Sequence, residues 1–164
     1  MKKDIDADKL TVKLTNANKS TRTITVDSDF IRLCNQAIKE QEFVKSNGEP
    51  DQNIRAESAN LIDNDYIVRS VDINVKHTAE ADGSVVYRRF RTLETFFNDK
   101  RITPVTIFYS GMIAMAKDLY VAGKLDSEGY QAIAKQFNLN QTTLKRHMKD
   151  FLNEDTIKQV YSLS

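Results

Sequence analysis

The sequence is poor in the residues that most enzyme chemistries draw on. One cysteine, Cys34, among 164 residues excludes an intramolecular disulfide. It fits a reducing cytoplasm, where a lone thiol packs as a small hydrophobe. The two histidines, His77 and His147, stand in no metal-ligand spacing, and Cys34 has no partner near it in sequence. Five glycines leave little material for a phosphate-cradling loop. No apolar run approaches the roughly 20 residues that cross a bilayer. The lysines of MKKDIDADKL precede no apolar segment, so no signal peptide is read and a cytoplasmic protein is expected. The carboxylate pairs Asp4–Asp6 and Asp63–Asp65 suit solvated turns better than acid–base machinery. These absences lead to the expectation of no catalytic residues, no metal, no cofactor and no membrane contact, in a chain that is not an enzyme.

What remains is an ordinary folding composition, 40% hydrophobic and 29% charged, enough for one compact domain or two small ones. The formal net charge is +1, so any nucleic-acid surface must come from uneven distribution of charge. Alternation predicts a first hairpin, with Leu10, Val12 and Leu14 returning through NANKS to Ile24 and Val26. A second hairpin is predicted from Ile67, Val71, Ile73 and Val75, through HTAEADGS with its Asp82-Gly83 turn signal, to a return strand Val85–Arg91. Helical periodicity follows each. Asp27 or Ser28 caps a helix to about Lys45, with Phe30, Leu33, Cys34, Ala37 and Ile38 on its buried face. Asn47-Gly48 and Pro50 stop it. The polar stretch after it reads as a linker, with a short helix near Ile54 to Leu61. Thr103-Pro104 opens a long helix striped by Val105, Phe108, Met112, Met115, Ala116 and Leu119 and ended by Gly123. Asp126 or Ser127 opens the next helix, and Asn140 the one after. The expected fold is α+β: two antiparallel hairpins flanked by helices, ending in a tri-helical, winged unit. Its expected parts are residues 1–50 (hairpin plus helix), 51–65 (linker) and 66–164 (hairpin plus helical unit).

The segment YQAIAKQFNLNQTTLKRHMK, Tyr130 to Lys149, carries the functional expectation. Ile133, Ala134, Phe137, Leu139, Leu144 and Met148 fall where two short crossed helices need apolar residues, and Ala134 is small enough for a close crossing. No carboxylate stands between Asn140 and Lys149. The segment resembles the helix-turn-helix of bacterial regulators. It departs from that pattern at Asn138, where the turn usually has glycine, and at His147, where an apolar residue is expected. The resemblance implies a recognition helix in the major groove. Gln141, Thr142, Thr143 and Arg146 would then lie near base edges, with Lys145, Lys149 and Lys135 on phosphates. In YRRFR, Arg88, Arg89 and Arg91 are candidates for a second backbone contact of the kind a wing makes.

Two further resemblances bear on the whole chain. TRTITVDSDFIRLCNQAIKEQ resembles the strand and first helix of a ribbon-helix-helix protein, which would read DNA through Arg22, Thr23 and Thr25. Small size, central hairpins and a terminal helix-turn-helix are together similar to the double-stranded-DNA-binding accessory proteins, TraN type, of Gram-positive conjugative plasmids. The expected function is sequence-specific binding of double-stranded DNA as a regulator or transfer accessory of a mobile element. The protein would act as a homodimer or a pseudo-symmetric monomer. The alternative is a protein–protein adaptor whose helices only resemble a DNA reader.

Overall fold

In a computed structural model of the chain, residues 1–16, 18–45, 57–73 and 80–163 are described. The α+β class is what forms: among the described residues there are six α-helices, a three-stranded antiparallel sheet and a two-stranded one. The chain divides into two compact units, Met1–Thr92 and Leu93–Ser164.

In the first unit, β1 (Ile5–Asp6), β2 (Thr11–Thr15) and β3 (Thr21–Thr25) form a sheet in that order. The expected hairpin is present, with Val12 opposite Ile24 and Lys13 opposite Thr23. Its alternation buries Val12 and exposes Lys13, Thr15, Thr21, Thr23 and Thr25. Arg22 lies on the other face, its Nε donating to Asn16 Oδ1 at 3.2 Å. Helix α1 (Ser28–Lys39) starts at Asp27, whose carboxylate accepts the Phe30 N–H at 2.7 Å. It ends before Lys45 because Glu40 turns extended and leads into β4 (Glu42–Val44). Its inward positions are Ile31 and Cys34, whereas Phe30 and Leu33, expected inside, are exposed. The buried guanidinium of Arg69 closes the helix: its Nη2 donates to the carbonyls of Ala37, at 2.8 Å, and of Glu40. A cation there complements the negative end of the helix dipole.

The second hairpin is not built as expected. The second sheet pairs β4 with β5 (Ser58–Asn60), Phe43 opposite Ala59, where a helix was expected near Ile54 to Leu61. Val71 makes only an isolated antiparallel bridge to Leu61, while Val75 and His77 lie outside the described residues, as do Asn47, Gly48 and Pro50. The expected return strand is helix α2 (Gly83–Phe97). Asp82 Oδ1 accepts from Ser84 N at 2.7 Å, so Asp82-Gly83 starts a helix instead of turning a hairpin. The β-branched start, VVY, suggests a strand over seven residues. A longer window shows Val86, Phe90, Leu93 and Phe97 at helical spacing, and the helical period prevails.

Four helices make up the rest of the second unit: α3 (Pro104–Val121), α4 (Ser127–Phe137), α5 (Gln141–Asp150) and α6 (Glu154–Tyr161). Each begins where a side chain caps it. Thr103 Oγ1 accepts from Thr106 N at 3.1 Å, Asp126 Oδ1 from Gly129 N at 3.0 Å, Asn140 Oδ1 from Thr143 N at 2.8 Å and Asn153 Oδ1 from Thr156 N at 3.0 Å. Gly123, at φ 67°, turns the chain out of α3. The core is Met112, Ala116, Ile133, Ala134, Leu144, Leu152 and Ile157. Of the α3 stripe, Met112 and Ala116 are buried and Met115 and Leu119 half-buried against that core, while Val105 and Phe108, nearer its start, are exposed. Among the described residues no helix is long and apolar enough to cross a membrane.

Candidate nucleic-acid interface

The segment Tyr130–Lys149 folds as two short helices joined by Asn138, Leu139 and Asn140. Asn138 takes the left-handed conformation, φ 55° and ψ 45°. Asparagine supports that backbone better than most residues, which is how the turn forms without glycine. The Leu139 N–H donates to Ala134 O at 2.9 Å, and the Leu139 side chain packs on the core. Gly111 lets α3 and α4 approach closely, since a Cβ there would stand 3.3 Å from the Phe137 ring.

Helix α5 has two distinct sides. Leu144 and His147 are buried and Met148 is half-buried, so the inward register runs straight through His147. The imidazole sits against the rings of Tyr109 and Phe151, with centroids at 5.4 and 5.0 Å. Burial holds its pKa below the usual value of 6.5, helped by the neighbouring Arg146 charge and opposed by Asp150. In its neutral form the histidine fills the apolar slot.

The outward side carries Gln141, Thr142, Lys145, Arg146 and Lys149, all exposed. Their spacing, i, i+4 and i+8 from Gln141 and i, i+4 from Thr142, gathers them on one helical face. Asp150 lies at its edge. Among the described residues no ion pair joins Lys135, Lys145, Arg146 or Lys149, so the cations are not neutralised by the chain's own carboxylates. Thr143 is different: the helical period carries it past Arg146 toward the buried His147, and it is half-buried at the rim of this face. Gln131, which sequence reasoning passed over, holds Gln141 through an amide contact of 3.0 Å from Gln141 Nε2 to Gln131 Oε1. The signal for it was available, because residues in the first turns of α4 lie beside the start of α5 in any such helix pair.

The arginines of YRRFR are on helix α2 and not on a wing. Arg88 and Arg91 are exposed, but Arg89 is half-buried with its guanidinium 3.2 Å from the centroid of the Phe43 ring. It thus serves packing in the first unit. All regular structure of the second unit among the described residues is helical, so the expected wing is absent there. Among the described residues no group of three or more His, Cys, Asp or Glu side chains is placed to hold a metal ion.

Residues 1–162 match the family described as MrpR, C-terminal catalytic domain, and the chain belongs to that family. It is also similar to the SPbeta prophage-derived uncharacterized protein YopR of Bacillus subtilis (strain 168), at 26% identity over 153 residues. That match covers 91% of this chain and 46% of YopR, so the chain spans about half the length of the curated relative. The family is named for a catalytic domain, which overturns the expectation that the chain is not an enzyme. That expectation rested on local spacing. Catalytic groups are brought together by the fold from positions far apart in sequence, and local spacing does not report them.

Proposed function

We propose that this member of the MrpR catalytic-domain family binds double-stranded DNA sequence-specifically, with α5 in the major groove. One observation carries the reading: α5 is locked inward by Leu144, His147 and Met148 while its opposite face offers Gln141, Thr142, Lys145, Arg146 and Lys149 to solvent. Gln141 and Arg146 supply the bidentate donor and acceptor patterns that distinguish adenine and guanine edges. Lys145, Lys149 and Lys135 supply phosphate contacts, which position the helix without reading sequence. Arg88 and Arg91, on the exposed side of α2, are further candidates for backbone contacts. The prophage origin of YopR supports a role on a mobile element, in the cytoplasm of a bacterial host. The catalysis in the family's name is then directed at the bound duplex.

Selection from a random duplex pool, followed by footprinting, tests the reading. A defined site should emerge, and changing Gln141, Arg146 and Lys149 together to alanine should abolish the preference, at about 1–3 kcal/mol for each base edge no longer read. Unchanged affinity and preference in that triple variant would refute the assignment of α5. Strand breakage or joining on a plasmid bearing the selected site would show that the duplex is also the substrate.

A further inference from the structure

Gln141 is the first residue of α5, and its side chain is held although it is exposed. Its Nε2 donates to Gln131 Oε1 on α4, at 3.0 Å. Among the described residues, Thr142, Lys145, Arg146 and Lys149 of the same face make no side-chain hydrogen bond. The backbone fixes both ends of this contact. Gln131 stands two residues before the buried Ile133, and the Asn140 cap sets the first turn of α5. Between them the chain passes through the left-handed Asn138 and the bond from Leu139 N–H to Ala134 O. The glutamine pair is therefore a consequence of the helix pair and adds little to its stability, since both amides lie where water is an equal partner.

We propose that Gln131 is a positioning residue, which holds the Gln141 carboxamide ready for the edge of an adenine. The inference rests on α5 being the helix that reads DNA. A free glutamine samples many rotamers and loses them on binding, a cost that is smaller when the side chain is already held. The contact also decides which atoms remain for the base. With one Nε2 hydrogen on Gln131, Gln141 keeps its second Nε2–H and the lone pairs of Oε1. In the major groove adenine offers N7 as acceptor and N6–H as donor, and the remaining pair matches both. Guanine offers two acceptors there, N7 and O6, and would set Oε1 against O6 with no proton between them. A glutamate at position 131 can only accept, so it would keep Gln141 in the same orientation, whereas a methionine of similar length would release it.

Two measurements on the full chain read the outcome: NMR relaxation of side-chain amides without DNA, and base preference by selection from a random duplex pool. In the free chain the Gln141 amide should be ordered. Gln131→Met should loosen it while thermal unfolding stays unchanged, because both side chains are exposed. In the selection, wild type should favour adenine at one position by roughly 5–150-fold, and Gln141→Ala should erase that preference. Gln131→Met should weaken it by about three- to tenfold at that position alone, with the salt slope unchanged. Gln131→Glu should keep the preference, although overall affinity falls with the added negative charge. In a Gln141→Ala background, Gln131→Met should change nothing at that position. A Gln141 amide as mobile in wild type as in Gln131→Met overturns the proposal without recourse to DNA. A preference that Gln141→Ala erases and Gln131→Met leaves whole also overturns it, and spares the reading of α5. A wild-type chain with no duplex affinity overturns both.

Discussion

Gly129 stands where α4 meets the end of α3 most closely, and replacing it with alanine puts two effects in opposition. Gly129 is buried in the first turn of α4, and its N–H donates to Asp126 Oδ1 at 3.0 Å. An added Cβ would lie 2.2 Å from the backbone oxygen of Lys124 and 3.5 Å from Leu119 Cδ1. Relief requires backbone to move by about 1 Å, since ordinary contact begins near 3.4 Å. The Lys124 segment has little freedom to yield, because its own N–H is bonded to Leu119 O at 2.8 Å. Overpacking costs about 1–3 kcal/mol, and a backbone clash belongs at the upper end. Against this, alanine gains about 1 kcal/mol of helix propensity. The net expectation is a loss of about 2 kcal/mol. For a unit of this size each kcal/mol moves Tm by roughly 4–8 °C, so thermal unfolding should shift down by about 8–16 °C. Gly83→Ala is the control, because nothing lies within 4 Å of its added Cβ. It should be neutral or stabilising by up to about 1 kcal/mol. If Gly129→Ala matched the control or exceeded wild type, the close approach of α4 to the Lys124 turn would be refuted.

Other positions of the unit give separate tests. Asn138→Gly should leave stability unchanged or raise it by a few tenths of a kcal/mol, whereas Asn138→Val, forced into a left-handed backbone, should cost about 1–2 kcal/mol in urea unfolding. Ile133→Ala, at a fully buried site, should cost about 2–5 kcal/mol by the same assay. His147 should make the unit acid-sensitive. Its folded pKa is depressed below 6.5, so the unfolded chain takes up the proton first. Stability is then full above about pH 6.5 and is lost as pH falls through the folded pKa. His147→Leu should lose less stability than wild type between about pH 7.5 and about pH 5.5; equal losses would remove the histidine from the account.

The helix boundaries of the second unit were legible because their signals are local. Thr103, Asp126 and Asn140 each cap within three residues of themselves, and Gly123 and Asn138 each supply one left-handed residue. The inward face of α5 was less legible. His147 looks polar in sequence, and the rings that make its slot apolar include Tyr109, 38 positions earlier in the chain. The second hairpin was misread for a related reason. VVYRRFR has strand-like composition, and the competing helical period appears only when Leu93 and Phe97 are included. The strands β4 and β5, three residues each, are too short to show alternation, and their pairing is nonlocal. Thr143 was grouped with Gln141, Thr142 and Arg146 by residue type, but the helical period carries it toward the buried side of α5. The family's designation as a catalytic domain was the least legible finding, because no local cluster in the sequence announces it.

The salt dependence of duplex binding tests the central claim most directly. If Lys135, Lys145 and Lys149 each displace counterions from a phosphate, together they should contribute about −3 to the slope of log affinity against log salt, at about −0.9 per contact, and any backbone contact of Arg88 or Arg91 steepens it further. Each single change of those lysines to alanine should flatten the slope by about one unit while leaving sequence preference intact. No duplex affinity at about 50 mM salt, or a slope that all three changes leave untouched, would contradict the assignment of α5 as the DNA-reading helix.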